Sequence, residues 1–316
     1  MWPLSVADYP LFIYILIFNF LNTKLSIAVL GLKSRSSLKM FGSPAYSDLF
    51  NYEEGVWKNN KAYYPDDQKL PSPTYIFGYG SLIWRPGDLL KDFEVFHCKA
   101  KGWRRMFAQR SWDHRGTREF PGLVATIIDD MALESAGWKA SFEEASVCEG
   151  VCYLIPPLRM KEVMDELDWR ERGGYSRVII DVVFSENTPH FQAGETASVV
   201  VFTGQPINPN FFLPVIPHPS ERDWTLQRLI NIIAYARGPS GANADYVLNL
   251  AEHLQEVGVH DTHLNELAKR VQLRLNKGSL DKTLAWPSSW RIFSWGSNEY
   301  GMKHTIFHSL LLTMFQ

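Results

Sequence analysis

Apolar positions along the chain follow two different periods. Between residues 74 and 204 they gather in short runs rich in β-branched and aromatic side chains. TYIFGYGSLIW (74–84) reads as a buried strand running into a glycine turn. LVATIID (123–129), VCYLI (151–155), VIIDVVF (178–184) and SVVVFT (198–203) read as further strands. One helix interrupts them, with Met160, Val163, Met164 and Leu167 at i, i+3, i+4 and i+7. From 223 to 276 the period is helical throughout. Leu226, Leu229, Ile230 and Ile233 form a stripe that stops at Gly238-Pro239-Ser240-Gly241. Asn243 is placed to cap a second helix with Val247, Leu250 and Leu254 inward. Asp261 is placed to cap a third, with Leu264, Leu267, Val271 and Leu275 inward. Strands first and helices after predict an α+β domain with a strand-rich core and trailing helices.

The flanks break this pattern. Leu11 to Leu32 is mostly apolar, interrupted by Asn19, Asn22, Thr23 and Lys24. Asp8 is the sole charged side chain before the run, and Lys33, Arg35 and Lys39 follow it, which is the wrong order for a signal peptide. Residues 9–32 have about the length of a membrane-spanning helix. The trailing positive charges would then keep the rest of the chain cytoplasmic. Alternatively the segment is a dispensable extension, and Met40 offers an internal start. Residues 41–72 are polar, with Asn59, Asn60, Pro65, Asp66, Asp67 and Pro71, and read as a linker. Past Gly278 no regular period survives. The expected organisation is an apolar segment and linker over 1–72, a folded domain over 73–277 and an irregular tail over 278–316. The protein is expected to work in the cytoplasm, with membrane contact only through 9–32.

Composition narrows the function classes. The chain has 316 residues, 46% hydrophobic and 21% charged, enough to bury a sizeable core. A formal net charge of −2 supplies no basic field for nucleic acid. The cysteines, Cys98, Cys148 and Cys152, do not make a disulfide framework. Cys148 and Cys152 read as small core residues rather than metal ligands, because no second Cys/His cluster accompanies them.

Four stretches carry candidate chemistry. Phe77-Gly78-Tyr79-Gly80-Ser81-Leu82 follows a strand directly. Its two glycines allow a tight turn whose N–H groups point at an anion, although a plain tight turn fits as well. It lacks the third glycine of a dinucleotide site and the Gly-Lys-Ser/Thr of a phosphate loop. Glu171 continues the helix stripe 160, 164, 167 just before Gly173-Gly174, so it faces inward, while Arg170 and Arg172 point elsewhere. Desolvation and the helix C-terminus both raise the pKa of such a carboxylate. A buried ion pair with an arginine fits the same spacing. Ser111-Trp112-Asp113-His114-Arg115-Gly116-Thr117 has the make-up of a site loop or of a solvated turn. Gly238-Pro239-Ser240-Gly241 reads as a helix connection.

In this order GYGSLIW (78–84), DHRGT (113–117) with PG (121–122), RERGGY (170–175) and GPSG (238–241) resemble the motifs of ChaC-type γ-glutamylcyclotransferases over about residues 74–276. The resemblance implies the γ-glutamylcyclotransferase-like fold, a small mixed β-barrel with helices. It also implies glutathione as substrate, 5-oxoproline and Cys-Gly as products, and no cofactor; the rival readings are a cyclotransferase for other γ-glutamyl amino acids or amines and a non-catalytic interaction protein on the same fold. Carried over by position, it makes Glu171 the proton acceptor. Ile76, Phe77, Gly78, Tyr79, Gly80, Ser81 and Leu82 then bind the γ-glutamyl moiety, and Asp113, His114, Arg115 and Tyr175 join the pocket. The chain departs from the family at Leu123, where arginine is frequent after Pro-Gly, and residues 133–146 look like an insertion.

Overall fold

The computed structural model describes residues 49–51, 53–135, 146–204, 208, 210–212 and 222–278. The expectations for residues 1–40 and for the tail beyond 278, and most of the 133–146 insertion, lie outside them. Among the described residues no helix is long and apolar enough to cross a membrane.

Two short strands, β1 (Phe50–Asn51) and β2 (Val56–Trp57), pair antiparallel ahead of the main body. The core is a closed five-stranded barrel in the order β3-β7-β4-β8-β9. Its strands are β3 (Tyr75–Gly78), β4 (Val95–Lys101), β7 (Val147–Leu154), β8 (Tyr175–Phe184) and β9 (Thr196–Gly204). All pairs are antiparallel except β3 with β9, which closes the barrel in parallel at Ile76 opposite Val200. A separate hairpin, β5 (Trp103–Ser111) with β6 (Gly122–Asp129), leans on β9. Thr126 on β6 bridges the two, accepting from the Gly204 N–H at 2.8 Å and meeting the Thr203 hydroxyl at 3.2 Å.

The helices cover this frame. A short helix α1 (Asp130–Ser135) follows β6, and α2 (Met160–Arg170) follows β7. Helix α2 forms because its apolar positions share one face. Val163, Met164 and Leu167 bury against Ile76, Val151, Tyr153 and Val200 of the barrel. Helices α3 (Arg222–Tyr235), α4 (Asn243–Glu256) and α5 (Thr262–Asn276) pack on one another. Asp261 caps α5 as its type predicts, accepting from the Leu264 N–H at 2.9 Å. Leu264, Leu267 and Val271 are buried.

Three readings change. Asn243 is not a cap: it is the first residue of α4, and no side chain caps that helix. Its amide instead pairs with both main-chain groups of Leu123 on β6, accepting at 2.6 Å and donating at 2.7 Å. The Gly-Pro-Ser-Gly stretch is more than a connection, since Arg237–Gly238 (β10) and Gly241–Ala242 (β11) form a two-residue hairpin. From residue 49 onward the expected linker packs against the barrel. Trp57 is 1% exposed, Ala62 is fully buried, and Tyr63 bridges in parallel to Ser176 of β8.

Candidate active site

The barrel strand β3 delivers Gly78 to its end, where the chain leaves as a short 3-10 turn over Ser81–Ile83. The turn closes with Ile83 N–H donating to the Gly80 carbonyl at 3.0 Å. The N–H groups of Ser81 and Leu82, in the first turn, have no carbonyl partner within it. Gly80 is required by a close approach: a Cβ there would lie 2.9 Å from the Tyr246 hydroxyl. Arg105 of β5, 3% exposed at its side chain, supports the loop from below. Its Nε donates to the Tyr79 carbonyl at 2.9 Å, and its other nitrogens hold Asp261 and the Glu149 carbonyl.

Glu171 is the C-cap of α2. Its N–H donates to the Leu167 carbonyl at 2.9 Å and its carbonyl accepts from Tyr175 N–H at 3.2 Å, which closes the turn into β8. Gly174 permits that turn through φ +109, and a Cβ there would sit 2.6 Å from the Asn208 side chain. The Glu171 side chain is 19% exposed. Its pKa is raised, first by desolvation, against the pull of Arg170 and His114 and with the push of Asp113. Arg170 corrects the helical projection. Its Nε approaches Glu171 Oε1 at 3.3 Å, and its Nη2 donates to Ser81 Oγ at 2.9 Å. The arginine ion pair left open by the spacing is thus present, and it bridges the two motifs. Arg172 does turn away and stacks 3.9 Å over the Trp169 ring.

These elements form a small, half-open recess of about 50 Å³ lined by Phe77 to Leu82, Ala125, Glu171, Tyr175, Phe202 and Tyr246. Its walls are tyrosines locked to the main chain. Tyr79 donates to the Phe202 carbonyl at 2.6 Å and Tyr175 to the Ala125 carbonyl at 2.8 Å, while Tyr246 accepts from the Ala125 N–H at 3.2 Å. Burial pushes the Tyr79 and Tyr175 phenols well above their ordinary value and Tyr246 up to about 12, so all three remain neutral.

Not every expected residue meets in the recess. Ile76 stays in the barrel core, fully buried among Val200, Tyr153 and Met164. Asp113 and His114 are half exposed and lie outside the lining. Arg115 is buried and donates Nη1 to the Ala242 carbonyl at 3.0 Å. This loop carries the Pro-Ser turn of the β10–β11 hairpin: Ser240 N–H donates to the His114 carbonyl at 2.9 Å. The DHRGT and GPSG motifs are therefore one substructure beside the recess. Sequence reasoning missed Tyr246, which precedes the core position Val247 on α4 and looks like an ordinary helical aromatic. It also missed Ala125, Phe202 and Arg105.

The mixed barrel thus sets one desolvated carboxylate against a glycine-rich loop, an arrangement able to do acid/base chemistry. The family described as ChaC-like protein matches residues 74–274. Gamma-glutamylcyclotransferase 2-3 of Arabidopsis thaliana is 33% identical over 222 residues, 67% of this chain and 96% of that protein. The glutathione-specific gamma-glutamylcyclotransferase of Schizosaccharomyces pombe is 33% identical over 207 residues, 64% of this chain and 94% of that protein. The crystal structure of the yeast enzyme specific to glutathione aligns with TM-score 0.51 at 27% identity, covering 64% of this chain and 98% of that one. The chain belongs to the ChaC-like family.

Proposed function

We propose that this protein cleaves glutathione to 5-oxoproline and Cys-Gly, with Glu171 as the proton carrier and residues 73–277 as the catalytic domain. The observation that carries the reading is the placement of the Glu171 carboxylate in the recess beside the Tyr79–Leu82 loop, where burial raises its pKa. The relatives' printed specificity supports the substrate.

The substrate holds both nucleophile and electrophile. Its α-amine attacks its own side-chain carbonyl carbon, the new C–N bond closes a five-membered lactam, and the old amide C–N bond breaks. Two protons pass from the attacking to the departing nitrogen, and Glu171 carries them. Bending the γ-glutamyl arm into a near-attack conformer is the protein's main task, because intramolecular closure then has little entropy left to lose. The walls fixed by Tyr79, Tyr175 and Tyr246 supply a rigid mould. The N–H groups of Gly80, Ser81 and Leu82 hold a substrate carboxylate or the developing oxyanion. Asp113 and His114 act from the rim on the outer part of the substrate.

An ordinary glutamate near 4.3 is a weak base for an amine near 8, a gap of about 5 kcal/mol. Desolvation narrows it by lifting Glu171. Arg170 opposes this until a substrate carboxylate draws its guanidinium away from Glu171. A cytoplasmic location fits the three unpaired cysteines and the reduced substrate. The test is release of 5-oxoproline and Cys-Gly from millimolar glutathione by the purified chain. Glu171→Gln should bind the substrate and lose about 10²-fold or more in turnover. Activity above about a tenth of wild type in that variant would remove Glu171 from the mechanism.

A further inference from the structure

The turn that carries Glu171 presents its carbonyls in a row, and each has a donor. The Arg172 carbonyl accepts from the Trp57 N–H at 3.0 Å. The Gly173 carbonyl accepts from Asn210 Nδ2 at 2.8 Å and Gln109 Nε2 at 3.1 Å. The Gly174 carbonyl accepts from Asn208. The Tyr175 carbonyl accepts from Trp57 Nε1 at 2.8 Å and from the Tyr63 N–H at 3.1 Å. Asn210 also reaches back to the Gly55 carbonyl at 3.2 Å. Much of this frame comes from residues 55–63, ahead of the family match that begins at residue 74.

The same segment is anchored on either side of the turn. Ala62 N–H donates to the Asp168 carbonyl at 2.6 Å, one turn of α2 before Glu171. Arg177 N–H donates to the Tyr63 carbonyl at 2.7 Å. The Arg177 side chain pairs with Asp168 at 2.8 Å, bonds Gln68 at 2.8 Å and lies 3.4 Å over the Tyr64 ring. Trp57 itself is 1% exposed, so its indole N–H has no water to compete with the Tyr175 carbonyl.

We propose that the segment around Trp57 is a brace for the catalytic turn, and that Trp57 is a positioning residue for Glu171. It binds the backbone on the side of the turn away from the recess and fixes the carboxylate relative to the Tyr79–Leu82 loop. This rests on the cyclisation reading above. A carboxylate that must alternate between two nitrogens of a bent substrate tolerates little displacement, and misplacement from a remote change lowers turnover rather than affinity.

Trp57→Phe in the full chain removes the indole N–H and keeps most of the buried ring. The expected result is a kcat lower by about tenfold with KM within about twofold of wild type. The acid limb of kcat/KM should also move to lower pH, because a loosened turn admits water to Glu171 and relieves its desolvation. Amide hydrogen exchange across residues 171–175, which needs no substrate, should quicken. A folded variant with wild-type kcat, acid limb and exchange would overturn the brace. Should Trp57→Phe fail to fold, Asn210→Ala cuts the same frame between Gly55 and Gly173 and is judged by the same readouts. Absence of turnover in wild type would count against the reaction, while the exchange data would still decide the brace.

Discussion

Glu171 and Arg170 are neighbours in sequence that a helical projection separates by about 100°. The projection fails because Glu171 is no longer helical, with φ −94 and ψ 12 at the cap, and because a guanidinium is long enough to reach around. The inward orientation of Glu171 was thus legible from the stripe, whereas its charged partner was not. The pairing has a measurable consequence. Arg170 holds the Glu171 pKa down against desolvation. Arg170→Met should therefore move the acid limb of kcat/KM to higher pH, since the carboxylate loses its cation and protonates earlier as pH falls. Arg170→Lys should restore part of the shift. An acid limb unchanged in Arg170→Met would show that the two side chains are apart in solution. Gly174 makes a second prediction at this scale. Its φ of +109 and the nearby Asn208 amide leave no room for a methyl group. Gly174→Ala should cost about 2 kcal/mol or more of stability, read by denaturant unfolding.

Among the elements, β3, β6, β8, β9 and α2 were legible because each is a run of one period with its apolar face to the core. Strands β4 and β5 were not. VFHCKAK buries only Cys98 and Ala100 and turns His97, Lys99 and Lys101 outward, which leaves too little apolar signal. WRRMFAQRS carries Arg105 and Gln109 as buried structural donors, the opposite of what composition suggests for a strand. Helix α4 shows how an element is placed by one polar side chain. Asn243 pairs with the Leu123 main chain as a strand would, and so fixes α4 and Tyr246 against β6. Asn243→Leu leaves the buried Leu123 N–H and carbonyl unpaired. That should cost about 2–4 kcal/mol. The corresponding loss in Tm is about 4–16 °C. A variant that unfolds at the wild-type temperature would mean that α4 is held by packing alone.

For the whole molecule, two of the four motifs, the loop after β3 and the turn after α2, meet at one recess, and the other two join each other beside it. The loop after β3 and the turn after α2 converge because β3 is flanked by β7, which leads into α2, and by β9, which pairs with the β8 that leaves it. The barrel's closure by a parallel pair, which no local pattern announces, brings the two ends together. The polar stretch before residue 74 was the largest misreading. Its strands have two residues each, too short for any period to register, and its anchor is Trp57, buried together with Phe50.

That anchor bears on how the protein can be made in a cell. Translation beginning at Met40 would still include Gly55, Trp57 and Tyr63 and so deliver every contact to the catalytic turn. The next methionine is Met106, inside β5 and past the whole of β3 and its loop. Between those two codons no start exists, so a shorter product either keeps the whole site or loses Trp57 and the Tyr79–Leu82 loop together.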